Sequence, residues 1–432
     1  MLTHELERRT VAKVSWRLLP YLFLLYIVAY IDRINISVAA LQMPRDVPMN
    51  EAAYGMGGGI FFIGYFLFEV PSNLVLERVG ARVWIARIMV VWGIISSCMM
   101  FARTVPAFYL LRFLLGAAEA GFFPGILFYL TRWYRERDRA RAVALFMTAG
   151  SIAGVVGNPL SGALLTLDGR GGLHGWQWVF LLEGIPAVLL GISVLFVLSE
   201  RPSAASWLGP EERDWLEGEL GREKALKDAG PRGSLLAALT QPRVLLLALV
   251  YFLIVTSAYG FEMWLPVIMK PLAAGDDFRA TLYSAVPYVS ATIVMVGVAA
   301  LSDRAGERRW AVALCAFASV LGFFGSAITG SPALGLVALS LAWCGIKSAQ
   351  GPFWALSAST LSGGAAAAGL AFINSVANLG GYLGPWLAGV LQTRTHAFST
   401  GLFLSSVLLL GAGIAVLQVR PRTISGTPLP PL

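Results

Sequence analysis

The chain has 432 residues, 57% of them hydrophobic and 13% charged, with a net charge of +8 and a mean hydropathy of +0.69. A soluble globular domain of this size is excluded, because too little polar surface exists to cover it. The positive charge does not point to nucleic acid, since the basic residues sit in short loops between apolar runs and not on one soluble face. A polytopic helical membrane protein is the class that fits.

The opening MLTHELERRT carries both signs of charge and no small-residue cleavage site follows closely, so no cleavable signal is expected. The first predicted span, Trp16–Leu41, is apolar until Asp32, Arg33 and Asn35 interrupt it. The second, Tyr54–Leu76, opens on GMGGGIFFIGYF, where small residues permit close helix contact. After the turn ERVGAR comes the third, Val83–Phe101, and then the fourth, Ala107–Trp133. A basic loop, RWYRERDRAR, leads to the fifth, Ala142–Leu165, with Pro159 breaking its ladder, and to the sixth, Trp176–Leu198. Residues 200–240 then hold most of the soluble charge and read as a polar, partly helical linker with a capped start at Ser206–Pro210. Apolar runs resume at Val244–Met269, Leu282–Leu301, Trp310–Ile328, Pro332–Leu356, Ala366–Leu391 and Phe398–Val419. The Pro-containing tail at 421–432 is expected to be disordered.

The expectation is therefore an all-α integral membrane protein of about twelve transmembrane helices. ERVGAR after the second span and SDRAGERR after the eighth occupy equivalent places, so residues 1–199 and 241–420 read as two six-helix pseudo-repeats with a site between them. Lys and Arg cluster before the first span, in the even-numbered junctions and in the tail, which places both termini and the linker in the cytoplasm. Cys98, Cys315 and Cys344 fall inside apolar runs, with neither a disulfide framework nor metal-ligand spacing, so no metal or cofactor is expected. His4, His174 and His396 all fall outside those runs, so any proton that moves must ride on a carboxylate.

The stretch YLLRFLLGAAEAGFFPG, Tyr109–Gly125, carries the strongest functional signal. Arg112 and Glu119 lie seven residues apart, on one helix face about 10 Å apart along the axis. A charge at mid-membrane costs at least about 2.5–3.5 kcal/mol, so the stripe must face a polar interior. Two readings stay open: a structural ion pair, or a substrate and ion site. Arg33 and Arg112 are the arginines well inside apolar runs, and a guanidinium fork suits a carboxylate. Adjacent helical residues point about 100° apart, so Arg33 is expected on the cavity and Asp32 between helices, where it can hold Arg112. Glu69 and Glu183 near span ends are expected to be structural, helix-end or gate groups. Asn374 and Asn378, four apart, share a face toward the cavity. Glu262 and Lys347 each interrupt an apolar run and are expected to lie near each other, as a fixed ion pair or with Lys347 reaching the substrate. The turns carrying Glu77, Arg78, Asp303 and Arg304 read as conformational latches.

The two acid–Arg–x–Gly turns resemble the signature loop of the major facilitator superfamily. More narrowly, YIDRINISVA, EVPSNLVLERVGARVWIARI, RFLLGAAEAGFFPG, GPFWAL and INSVANLGGYLGPWLAG resemble the anion:cation symporters, bacterial carriers of sugar acids, tartrate, phthalate and related anions. That resemblance covers nearly the whole chain and implies proton-driven uptake of an organic anion by alternating access across the bacterial cytoplasmic membrane. It implies proton coupling at Asp32 and Glu119, and substrate binding at Tyr30, Arg33, Tyr65, Arg112, Trp354 and Asn374. Asn73 and Glu77 depart from the superfamily's usual Gly and Asp, and Gly150 stands where sugar-acid carriers offer a polar amide, which leaves room for a less hydroxylated acid. The expected partners are a small organic anion, protons and lipid, with no nucleic acid, and a monomer suffices. An enzyme is not expected, because no intramembrane nucleophile–base or metal constellation is present. An uncoupled facilitator or exchanger of organic anions is the alternative.

Overall fold

A computed structural model describes residues 2–228, 241–361 and 366–419. Arg420 and Arg422, the tail, and linker residues 229–240 lie outside the described residues. Among those described, all regular structure is helical. That follows from the solvent: in hydrocarbon every backbone N–H and C=O must be satisfied within its own segment. Eleven segments are long and apolar enough to cross a membrane. The helix Ala366–Thr395, of comparable length at 30 residues, packs against the second and seventh spans. It is less apolar because Asn374, Asn378 and a series of glycines dilute its hydrocarbon.

Most spans run longer than the apolar runs alone predict. The first is helical over Leu2–Ala39, the second over Glu51–Val79 and the fifth over Glu136–Leu165. In each, a polar turn continues the helix beyond the hydrocarbon.

The fourth span differs from expectation. It is two helices, Val105–Glu119 and Phe122–Thr131, joined at Ala120–Gly121. Gly121 takes φ +89, a left-handed conformation that favours glycine. Pro124 lacks the N–H that would bond the carbonyl of Ala120, so the ladder cannot continue through this point. The two charges expected on one continuous stripe therefore sit on a helix that ends at Glu119.

The buried apolar residues form one cluster confined to 244–419 and others drawn mainly from 14–216. The seventh span, Pro242–Met269, reaches across, since Met263 and Trp264 belong to a cluster built mainly on the first, second, fourth and sixth spans. Second and eleventh spans approach backbone to backbone: a Cβ on Gly55 would meet the Pro385 carbonyl, and one on Gly59 would meet Tyr382. Lower down, the helix Pro210–Asp228 docks on the first span, with Glu212 taking Lys13 at 2.7 Å and Arg9 at 3.4 Å. Trp207 stacks on Trp133 with ring centroids 5.4 Å apart, so the start of the linker is anchored to the N-terminal spans.

Candidate functional site

A small cavity of about 30 Å³ lies between the first, second, fourth, seventh and eleventh spans, and Arg33, Arg112, Phe61, Tyr259 and Glu262 are on its wall. Arg33 is ion-paired with Glu119. The carboxylate is 1% exposed while the guanidinium side chain keeps 19% of its surface open. Phe61 and Tyr65 each lie 5.6 Å from that guanidinium, stacking it from the second span. The pair joins the first span to the fourth, so Glu119 is held across helices.

Arg112 is bound differently. Its Nε donates to the Gly57 carbonyl at 3.3 Å and its Nη2 to the Gly58 carbonyl at 3.2 Å. The glycine run of the second span makes these contacts possible by exposing its carbonyls. The Phe61 ring lies 5.0 Å from this guanidinium as well. Nη1 of Arg112 has no hydrogen-bond partner among the described residues although the residue is only 2% exposed. A buried donor left unsatisfied is costly, so this nitrogen is a natural place for an anion.

Asp32 is fully buried, between helices as expected, but it does not hold Arg112. Its Oδ1 accepts from the Ser96 hydroxyl and from Asn35 Nδ2 at 3.1 Å, and its Oδ2 has no partner among the described residues. The physical reason is register. A residue next to Arg33 points roughly 100° away from the cavity, toward the third span that carries Ser96. Glu183 belongs to the same interior, accepting from Ser161 at 2.6 Å, with its second oxygen likewise unpartnered.

Glu262 and Lys347 do come together, though not as a direct ion pair. Tyr30 joins them: its hydroxyl donates to Glu262 Oε1 at 2.9 Å and accepts from Lys347 Nζ at 3.2 Å. Tyr288 also donates to that oxygen, at 2.6 Å. Lys347 Nζ lies 4.4 Å from the Trp343 ring. A Cβ on Gly150 would lie 3.5 Å from the Tyr30 ring, in ordinary van der Waals contact, so Gly150 packs directly beside that tyrosine.

The remaining expected residues are off the cavity wall in this conformation. Trp354 packs edge-on against Tyr251 at 5.0 Å. Asn374 and Asn378 are half-buried on the eleventh span, without a hydrogen bond among the described residues. Glu77, Arg78 and Arg304 are exposed, and Asp303 pairs with Arg308 at 2.6 Å. Sequence reasoning missed Phe61 and Tyr259, both on the cavity wall. Both were within reach: Phe61 is four residues before Tyr65, and Tyr259 three before Glu262, the spacings that share a helix face.

Comparison with known proteins is consistent in kind. The family description Major Facilitator Superfamily matches residues 22–385. A protein of Agrobacterium vitis named "Putative tartrate transporter" is 45% identical over 421 residues, covering 97% of this chain and 93% of its own. A protein of Acinetobacter baumannii named "Quinolone resistance transporter" is 42% identical, covering 94% of each chain. Among solved structures, the inward open conformation of the xylose transporter XylE from E. coli superposes with a TM-score of 0.76 at 15% identity, covering 96% of this chain and 98% of its own.

Proposed function

The chain belongs to the Major Facilitator Superfamily and is a multi-pass membrane transporter, not an enzyme; from that premise we propose that it imports an organic carboxylate together with protons. The observation that carries this reading is the pair of guanidiniums on one cavity wall, one held by Glu119 and the other with a buried, unpartnered Nη1. The Agrobacterium relative named for tartrate supports an organic anion as cargo.

Coupling follows from competition for Arg33. A substrate carboxylate that takes Arg33 leaves Glu119 buried without its partner. Breaking one side of a buried pair costs about 3–5 kcal/mol, and a proton on Glu119 removes that cost. Anion and proton therefore favour each other's binding. Asp32, with one oxygen free of donors inside the N-terminal spans, is the second proton-coupling carboxyl in this reading. Tyr65 keeps Arg33 in place, and Lys347 acts on the site through Tyr30.

Residues 1–199 and 241–420 act in this proposal as two rocking halves, joined by the linker 200–240 and followed by the tail 421–432. The cavity of about 30 Å³ is too small for an organic acid, so binding requires the halves to part. Trp354, Asn374 and Asn378 then close on the substrate, and the turns at Glu77–Arg78 and Asp303–Arg304 latch the alternate state. Both termini lie in the cytoplasm, the protein resides in the bacterial cytoplasmic membrane, and a monomer is the working unit. The test is uptake of labelled organic acids into proteoliposomes with and without an inward proton gradient. Equal initial rates and equal final accumulation under both conditions would turn the reading toward an uncoupled facilitator or exchanger.

A further inference from the structure

We infer that Glu262 is a specificity-determining residue that reads the far end of the substrate, and that the carried acid bears a hydrogen-bond donor there, a hydroxyl or an ammonium, in preference to a second carboxylate. The inference rests on the carboxylate site proposed above and concerns the side of the same cavity that the seventh span supplies. Arg33 and Arg112 line that cavity from the first and fourth spans and Glu262 lines it from the seventh, so the cavity is bipolar. Its Oε1 receives both tyrosine hydroxyls, from Tyr30 at 2.9 Å and Tyr288 at 2.6 Å. A carboxylate has acceptor capacity on both oxygens, yet Oε2 receives no hydrogen bond among the described residues.

Lys347 does not supply the missing contact. It donates to the Tyr30 oxygen and lies over the Trp343 ring, outside the residues that form the cavity wall. Tyr30 has a single proton, and Glu262 already takes it, so the lysine reaches Glu262 only through that hydroxyl. What the seventh span adds to the cavity that holds the arginines is a carboxylate with one oxygen still able to accept. An acid whose far end donates satisfies it, and an acid ending in a second carboxylate sets like charges face to face.

The experiment compares four acids of equal chain length at pH 7 on the full-length protein in proteoliposomes: butanoate, 4-hydroxybutanoate, 4-aminobutanoate and succinate. Binding is read by ligand-induced thermal shift and by uptake. In the parent, the hydroxyl- or ammonium-ended acid should bind about tenfold more tightly than butanoate, as a charge-assisted contact provides, with succinate weakest. Which of the two donor ends leads identifies the donor. Glu262→Gln keeps an oxygen to accept from both tyrosines while removing the charge; it should collapse the ranking and improve succinate. The double variant Glu262→Gln/Lys347→Met removes the ammonium left uncompensated and should show the same collapsed ranking. Succinate binding as tightly as the donor-ended acids in the parent would overturn the inference without any variant. So would an unchanged ranking in the single or double variant, while the carboxylate site stood. Binding of none of the four acids would overturn the carboxylate site and this inference with it.

Discussion

Replacing Glu119 with Gln removes one charge from the Arg33–Glu119 pair and little volume. Glu119 is 1% exposed, so the interaction lost belongs to the interior. Truncating one side of a buried pair typically costs about 3–5 kcal/mol. Three features of this site reduce that figure. Arg33 keeps 19% of its side chain open, the rings of Phe61 and Tyr65 remain 5.6 Å away, and the Gln oxygen can still accept one hydrogen bond, worth roughly 1 kcal/mol. The expected net loss is about 1–3 kcal/mol. The variant also frees Arg33 for substrate, because no anionic competitor remains. An anion at a hundred times its Kd adds about 2.7 kcal/mol of apparent stability, so saturating substrate should offset most of the loss. Thermal unfolding across an anion titration reads the stability term. Proteoliposome uptake reads coupling: accumulation driven by a proton gradient should vanish while counterflow persists. An anion-induced stabilisation smaller in the variant than in the parent, or undiminished gradient-driven accumulation, would refute the competition argument.

Arg112→Lys keeps the charge but loses the fork that spans the Gly57 and Gly58 carbonyls; binding of an organic acid should weaken by about tenfold or more, and transport of a neutral analogue as fast as the acid would contradict the anion site. Gly55→Val sets a side chain against the Pro385 carbonyl and should keep the halves from closing here, seen as lost uptake with the protein still folded by circular dichroism. Glu212 is pushed up by burial but held below its ordinary 4.5 overall by Lys13, the Gly209 N–H and Arg9. A lowered carboxyl contributes stability above its ordinary value and loses it as the pH falls through the folded one. Acidification below about 4.5 should therefore undock the linker, changing the fluorescence of the Trp133–Trp207 stack. A Glu212→Gln variant should show no such acid transition. A periplasm-active reporter fused after Arg422 should stay silent, and activity there would overturn the proposed orientation.

The spans were legible because each is an apolar run of the length a bilayer demands, and hydrocarbon leaves helices as the only solution. Their polar extensions were not, since a helix that leaves the membrane loses the hydropathy that marks it. The break at Gly121 was hidden for the opposite reason: AGFFPG is apolar on both sides of the joint, so composition did not change where conformation did. The proximity of Glu262 and Lys347 could be argued from the cost of isolated interior charges. The Tyr30 hydroxyl between them could not, because it depends on how the first span meets the seventh and tenth. Likewise Asp32 was placed between helices from its register, but its partner Ser96 lies on a third span whose rotation no local pattern fixes.

The contact between the second and eleventh spans has a bearing on speed. Where Gly55 meets the Pro385 carbonyl, the apposed surfaces are largely main chain. Glycine and proline have no side-chain rotamers to freeze, so making or breaking such a contact changes little conformational entropy. Lipid tails are as apolar as the helices themselves and supply no hydrophobic drive to hold the seam shut. A seam of this kind behaves like a dry bearing: close-fitting when shut, with little to melt or reorder when it opens, and therefore suited to a motion repeated on every turnover.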